Sequence, residues 1–262
     1  MNFSKETAVH AAGDHFFGDI CPGWDIDGNA NGGYLMALGA RAMAEASRPH
    51  PVSVTAHFLS PGKVGPVTIN PDIIKAGRSF STVRASVHGP ERPIIELLGS
   101  FSELQRVDGN VIVDAEPPDL PDPEDCIRVV PHERGLPPAM MSKVDMRLHP
   151  DDAGFYAGRG SGKPLMRGWI RLQDEEPIDA FGLIFIADAF PPTVFNANLP
   201  MAWIPTLEMT TQVRGIPEPG WLRCKFSTRF INGGVLEEDG ELWDSGGRMV
   251  ALSRQLALMP RD

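Results

Sequence analysis

The chain states one structural plan twice. Residues 31–47, NGGYLMALGARAMAEAS, open on two glycines and fill with alanine, leucine and methionine, the make-up of a short helix. Strand-like runs follow: VSVTAHFL from Val52, GPVTINPDIIKAG from Gly65, FSTVRASVH from Phe80 and RPIIELLGSFSEL from Arg92. Turn residues separate them, at Ser60-Pro61-Gly62, Gly77 and Gly89-Pro90. The second statement opens on IDAFGLIFIADAF (178–190), an apolar segment that reads as a helix. WIPTLEMTTQV, GWLRCKFSTRFING, GVLEEDGELWDSG and GRMVALSRQLALM come after it. One helix followed by long antiparallel strands, repeated, predicts an α+β architecture. No βαβ alternation, GxGxxG or GxxxxGK[ST] competes with that reading. Each helix can cover one face of a curled sheet. Two such sheets set edge to edge make one extended sheet, hide two strand edges and leave a cleft between the halves.

The text between the halves is different in kind. PPDLPDPEDCIRVVPHERGLPP (117–138) holds seven prolines and many acids. Proline removes backbone donors and blocks ladders. Leu120, Ile127, Val129 and Val130 argue for a linker packed on a surface. The expected organisation is an N-terminal unit over 1–116, a proline-rich linker over 117–140 and a C-terminal unit over 141–262.

Net charge narrows the partners. A value of −10 speaks against a nucleic-acid footprint and against adhesion to an anionic membrane. Cys21, Cys126 and Cys224 are scattered and odd in number, so neither a disulfide framework nor a zinc site is expected. MNFSKETAVHAAG lacks the apolar core of a signal peptide, and no run of about 18 apolar residues exists to span a bilayer. These features predict a cytoplasmic protein.

One residue conflicts with its surroundings. Asp188 stands inside FGLIFIADAFPPTVF (181–195), among apolar neighbours. It could cap a backbone, pair with a buried arginine, or serve as a base whose carboxyl is desolvated. Pro191 and Pro192 cannot donate to the carbonyls of Ala187 and Asp188, so the helix is expected to end or kink just after the acid and aim it into a cleft. In the last strand, alternation puts Ala251, Ser253, Gln255 and Ala257 on one face, where small residues beside a glutamine leave room for a ligand.

Asn31-Gly32-Gly33 at a helix start, FLSPG (58–62), AGRSFSTVR (76–84) and IIELLGSF in the first half, with ADAF, PTLEMT and VALSRQ in the second, resemble the double-hotdog acyl-CoA thioesterases. The similarity is to the bacterial acyl-CoA thioesterase II type and its thioesterase-like relatives, over most of the chain. It implies a double hotdog that hydrolyses acyl-CoA to free acid and coenzyme A with an Asp-activated water and no metal or organic cofactor. The catalytic trio it implies falls on Asp188, Thr206 and Gln255. The first half lacks the set, with Gly39 or Ala40 near the aspartate position and Ser102 near the glutamine position. Asn31, Gly32, Gly33 and Tyr34 are expected at the substrate, the glycines allowing close approach to helix N–H groups. A homodimer or larger homo-oligomer is also implied.

Two alternatives stay open. The same fold could bind acyl-CoA or another lipid-like acid without turning it over. A hotdog hydratase or dehydratase would need a catalytic histidine with an acid, and His57 is the residue to consider. There is no GxSxG elbow, and GRGSGKP (158–164) lacks the spacing and preceding strand of a phosphate loop.

Overall fold

The computed structural model describes residues 2–104, 112–132, 136–199 and 201–260. Helix α1 spans Phe3–Glu6, α2 Gly32–Ala46 and α3 Ala180–Ile186. Strands before the linker are β1 His10–Ala12, β2 His15–Ile20, β3 Asp25–Ile26, β4 Asn29–Ala30, β5 His50–Phe58, β6 Gly65–Ala76, β7 Ser81–His88 and β8 Pro93–Ser102. From the linker onward come β9 Ile127–Arg128, β10 Val144–Leu148, β11 Leu165–Leu172, β12 Thr206–Val213, β13 Leu222–Ser227, β14 Ile231–Asn232, β15 Val235–Trp243 and β16 Met249–Leu258.

Among the described residues, all strands but the β3–β4 pair join one antiparallel sheet, ordered β1-β2-β6-β7-β8-β5-β12-β16-β15-β13-β11-β10-β9, with β14 beside β15. The repeat is visible in that order. Outward from the middle the first half runs 5, 8, 7, 6, 2 and the second runs 12, 16, 15, 13, 11. In each half the strand after the helix sits centrally, and the last strand of this sheet before the helix, β2 or β11, lies outermost of the five. The halves meet where β5 pairs β12, with Thr55 opposite Thr210 and His57 opposite Glu208. A 2.8 Å bond between the Thr55 and Thr210 hydroxyls crosses this seam. Two edges that would otherwise be open are thereby closed.

Helix α2 is apolar nearly all round, which requires burial on every side. It packs on β2, β5 to β8 and α3. Asn31 caps it, its Oδ1 accepting from the Tyr34 N–H at 2.9 Å. All seven residues of α3 are buried. Its cap, Asp179, accepts from Gly182 N–H at 2.7 Å and from Arg41 of α2 at 2.9 Å, which ties the two helices together. None of the described helices is long and apolar enough to cross a membrane.

The proline-rich stretch lies over the outer face of the second half. Residues 133–135 of it are outside the described residues. Arg147, Arg171 and Arg223 stand on that face, the last two over the rings of Trp221 and Trp169 at 4.4 and 4.8 Å. Trp169 Nε1 donates to the Pro121 carbonyl at 2.8 Å, and Cys126 and Val129 are buried. An acid-rich strip thus covers an arginine-rich surface, and its short β9 extends the sheet at β10.

Candidate active site at the end of α3

The apolar segment at 178–190 is a shorter helix than its composition predicts. Regular α-helix stops at Ile186, two residues before the acid. Asp188 and Ala189 donate to Phe185 and Ile186 at 3.1 Å, a tightened three-residue spacing. Pro191 and Pro192 explain the early stop, because they withdraw the donors that another turn would use. The Asp188 carbonyl is left over and accepts instead from Asn31 Nδ2 at 2.9 Å.

The same asparagine fixes the acid side chain. Asp188 Oδ2 accepts from Asn31 Nδ2 at 2.9 Å and from the Gly33 backbone N–H at 2.8 Å. The carboxylate therefore sits on the N-terminus of α2, where backbone donors have no helical partner and the helix dipole favours an anion. A Cβ on Gly33 would lie 2.7 Å from the Phe185 carbonyl and 2.8 Å from Asp188 Cβ. On Gly32 it would lie 2.9 Å from the Phe58 ring and 3.0 Å from Asp188 Oδ2. The two glycines are there so that α3 can end against α2.

Burial, and then the negative charge of Glu238, raise the Asp188 carboxyl to about 7, against an ordinary 3.8. The bonds from Gly33, Asn31 and Gly32 pull the other way and keep it from rising further. Asp188 is half-buried as a residue, but its carboxyl lies on the desolvated side, against α2.

A second hydrogen-bonded set lies on the inner face of the sheet. Thr206 Oγ1 donates to Gln255 Oε1 at 2.9 Å, and Gln255 Nε2 donates to Glu238 Oε1 at 2.9 Å. Glu238 Oε2 accepts from the Thr193 N–H at 2.7 Å. Strict alternation would put Thr206 on the outer face with Glu208, Thr210 and Gln212. A bulge intervenes: Thr206 faces Ala257, but Glu208 already faces Leu256. The extra residue, Leu207, turns the threonine inward to Gln255.

The sequence-predicted residues thus fall in two groups. Asp188, Asn31 and Gly33 form one, with Gly32 beside them, and Thr206 with Gln255 forms the other. Among the described residues no hydrogen bond joins the groups. Glu238 connects them, bonded to Gln255 and acting through its charge on Asp188. Sequence reasoning missed Glu238. The signal was present: it shares a face with Leu236 and Leu242, whereas Glu237, Asp239 and Glu241 alternate away from it.

Tyr34 does not stand at the site as expected. It is fully buried, stacked on Trp24, with its hydroxyl bonded to the Glu6 carbonyl at 2.6 Å and to the Cys21 N–H at 3.1 Å. It faces the core because the helix turns it away from the α2 N-terminus. Gly33 gives its N–H to Asp188 and so does not hold it open for a ligand. His57 is exposed on the outer face. Among the described residues no cluster of His, Cys, Asp or Glu is arranged to hold a metal ion.

Removing Asn31 will show how the first group is held. Asn31→Ala deletes a helix cap, worth about 1 kcal/mol, and strands the Asp188 carbonyl, worth about 1–3 kcal/mol. A lower melting temperature is expected. The pH at which Asp188 ionises will move up, as followed by its carboxylate band in difference infrared spectroscopy.

Comparison with known proteins places this arrangement. Residues 117–259 match the acyl-CoA thioesterase C-terminal domain, and residues 20–102 match the acyl-CoA thioesterase N-terminal domain. The chain belongs to the acyl-CoA thioesterase family. A candidate thioesterase II of Thermobifida fusca YX is similar in structure, with a TM-score of 0.89, 30% identity, and coverage of 99% of this chain and 98% of the other. A hot dog fold protein of unknown function from Alicyclobacillus acidocaldarius superposes with a TM-score of 0.85 at 23% identity, over 99% and 98% of the two chains. An uncharacterized protein of Mycobacterium tuberculosis is 28% identical, over 94% of this chain and 91% of the relative. The family and these folds make the two helix-wrapped halves a double hotdog, and the duplicated strand order is its internal repeat.

Proposed function

We propose that this thioesterase-family protein hydrolyses acyl-CoA thioesters, with Asp188 as the general base that deprotonates the attacking water. The observation that carries the reading is the Asp188 carboxyl, raised to about 7 on the donors of α2 and linked to the Thr206–Gln255 pair through Glu238. A base works best when its pKa lies near the working pH. Water loses a proton to Asp188 as its oxygen bonds to the thioester carbonyl carbon. The tetrahedral oxyanion then collapses, the C–S bond breaks, and the leaving sulfur takes the proton from Asp188. Thr206 and Gln255 hold the water in line. Because the base comes from the second half and its donors from the first, both halves are required.

The test is a panel of acyl-CoAs of varied chain length with detection of free thiol. Coenzyme A release is expected, with kcat falling as pH drops through about 7, because protonated Asp188 is no longer a base. Tight binding in isothermal titration with no thiol released would instead favour a silent acyl-CoA binder.

A further inference from the structure

Glu238 is 4% exposed, on the inner face of β15. Its neighbours Glu237 and Asp239 point outward, where Arg229 pairs with both and Arg254 with Asp239. Among the described residues Glu238 has no cation partner. A buried, unpaired charge is costly, and an apolar side chain would suit this face better if packing were the only demand.

Its bonds define a direction. The Thr193 backbone N–H can only donate, and it donates to Oε2. Burial pushes the Glu238 carboxyl above its ordinary 4.5, while the bonds from Thr193 and Gln255 favour its ionised form. As a carboxylate it can only accept, so it takes the Gln255 amide nitrogen at Oε1. An amide's orientation follows from such neighbours. With its nitrogen on Glu238, Gln255 must turn its oxygen to Thr206, and that oxygen too can only accept. The Thr206 hydroxyl proton is therefore committed to Gln255. What Thr206 has left to offer a ligand is a lone pair.

We propose that Glu238 is a positioning residue of the hydrolysis, one that sets the polarity of the Gln255–Thr206 pair so that the Thr206 oxygen accepts a hydrogen from the attacking water. The inference rests on the water-and-Asp188 reading above. With one hydrogen held by Asp188 and the other by Thr206, the water's free lone pair is aimed at the carbonyl carbon. Asp188 is the titratable group on α3's side that feels the Glu238 charge, and Glu237 acts on Glu238 from the opposite face.

Glu238→Gln keeps the shape and reverses the direction. Thr193 N–H still donates, so the new amide must turn its oxygen to Thr193 and its nitrogen to Gln255. Gln255 then flips, donates to Thr206, and forces the hydroxyl proton out toward the water. A fall in kcat of about tenfold or more is expected, with KM little changed. The acid limb of the kcat profile should move to lower pH, because a like charge beside Asp188 is gone. The swapped variant E238Q/Q255E restores the direction: the amide now on β15 donates to the carboxylate now on β16, which again accepts from Thr206. It should regain about tenfold over E238Q, a recovery that a merely structural role would not give. Parental kcat and pH profile in E238Q, loss of its folded state by thermal melting, or no recovery in the swap would each overturn the role of Glu238. If the parent releases thiol, D188N does not, and E238Q is unaffected, the role of Glu238 alone fails. If the parent releases no thiol, the functional reading fails with it.

Discussion

Asp188→Asn will lose about 10²–10⁴-fold in kcat on acyl-CoA, the range for removing a positioned base, while the folded protein becomes more stable above pH 7. The loss follows from the missing base. Asn is nearly the same shape, and its Oδ1 can still accept from Gly33 N–H and Asn31. The gain follows from linkage. Asp188 titrates at about 7 in the fold against 3.8 ordinarily, so between these values the folded chain holds a proton that the unfolded chain has released. This group's contribution to stability therefore falls as pH rises from about 4 to about 7 and stays low above that. Asn carries no charge at any pH and escapes the penalty. The melting-temperature difference between variant and parent should be small near pH 4 and reach about 4 °C or more at pH 8. An Asp188 that served only to hold α3 on α2 would give the opposite stability result and leave thiol release intact. Gain of stability with loss of activity is the pattern of a residue kept for chemistry.

Gly33→Ala is the second large effect, and helix propensity predicts its sign wrongly. Alanine is favoured over glycine in a helix by about 1 kcal/mol. Here the new methyl would meet the Phe185 carbonyl at 2.7 Å, Asp188 Cβ at 2.8 Å and the Ile184 carbonyl at 3.0 Å. Backbone cannot swing aside as a side-chain tip can, so the end of α3 must shift. Overpacking of this kind costs about 1–3 kcal/mol, read as a melting temperature lower by about 2–10 °C. The shift also carries Asp188 off its donors, and a displacement of about 1 Å at a reacting group costs about 100-fold in kcat. Gly215→Ala is the control. A Cβ there meets nothing within 4 Å, and no change beyond about 0.5 kcal/mol is expected. Equal behaviour of the two variants would show that the contact between α2 and the end of α3 is loose.

Much of this architecture was legible before any coordinates. Helix and strand periods, Ser60-Pro61-Gly62 and Gly89-Pro90 turns, and the doubled plan led to two α+β units with their sheets edge to edge; that β5 and β12 are the strands that meet came from the fold. Asn31 was legible as a helix start, and Pro191-Pro192 as the reason α3 must stop. Two readings went astray for physical reasons. The composition of 178–190 is helical throughout, yet the prolines deprive its last turn of partners, and the helix ends before Asp188. Tyr34 adjoins the glycines in sequence, yet a helix turns consecutive residues to different sides, and its ring lies on Trp24.

What the sequence determined by itself is what acts over a few residues: where backbone can coil or extend, where a proline withholds a donor, and which face of a strand is apolar. Glu238 on the apolar face of its strand belongs to that class, since alternation alone marks it. The site belongs to the other class. Gly33 and Asp188 are 155 residues apart, and Thr206 and Gln255 are 49 apart. Only the folded sheet decides that the end of one helix rests on the beginning of the other, and that a bulge turns Thr206 inward. Burial is likewise a property of the assembled halves, and burial beside Glu238 makes the carboxyl of Asp188 titrate near 7 and not near 4.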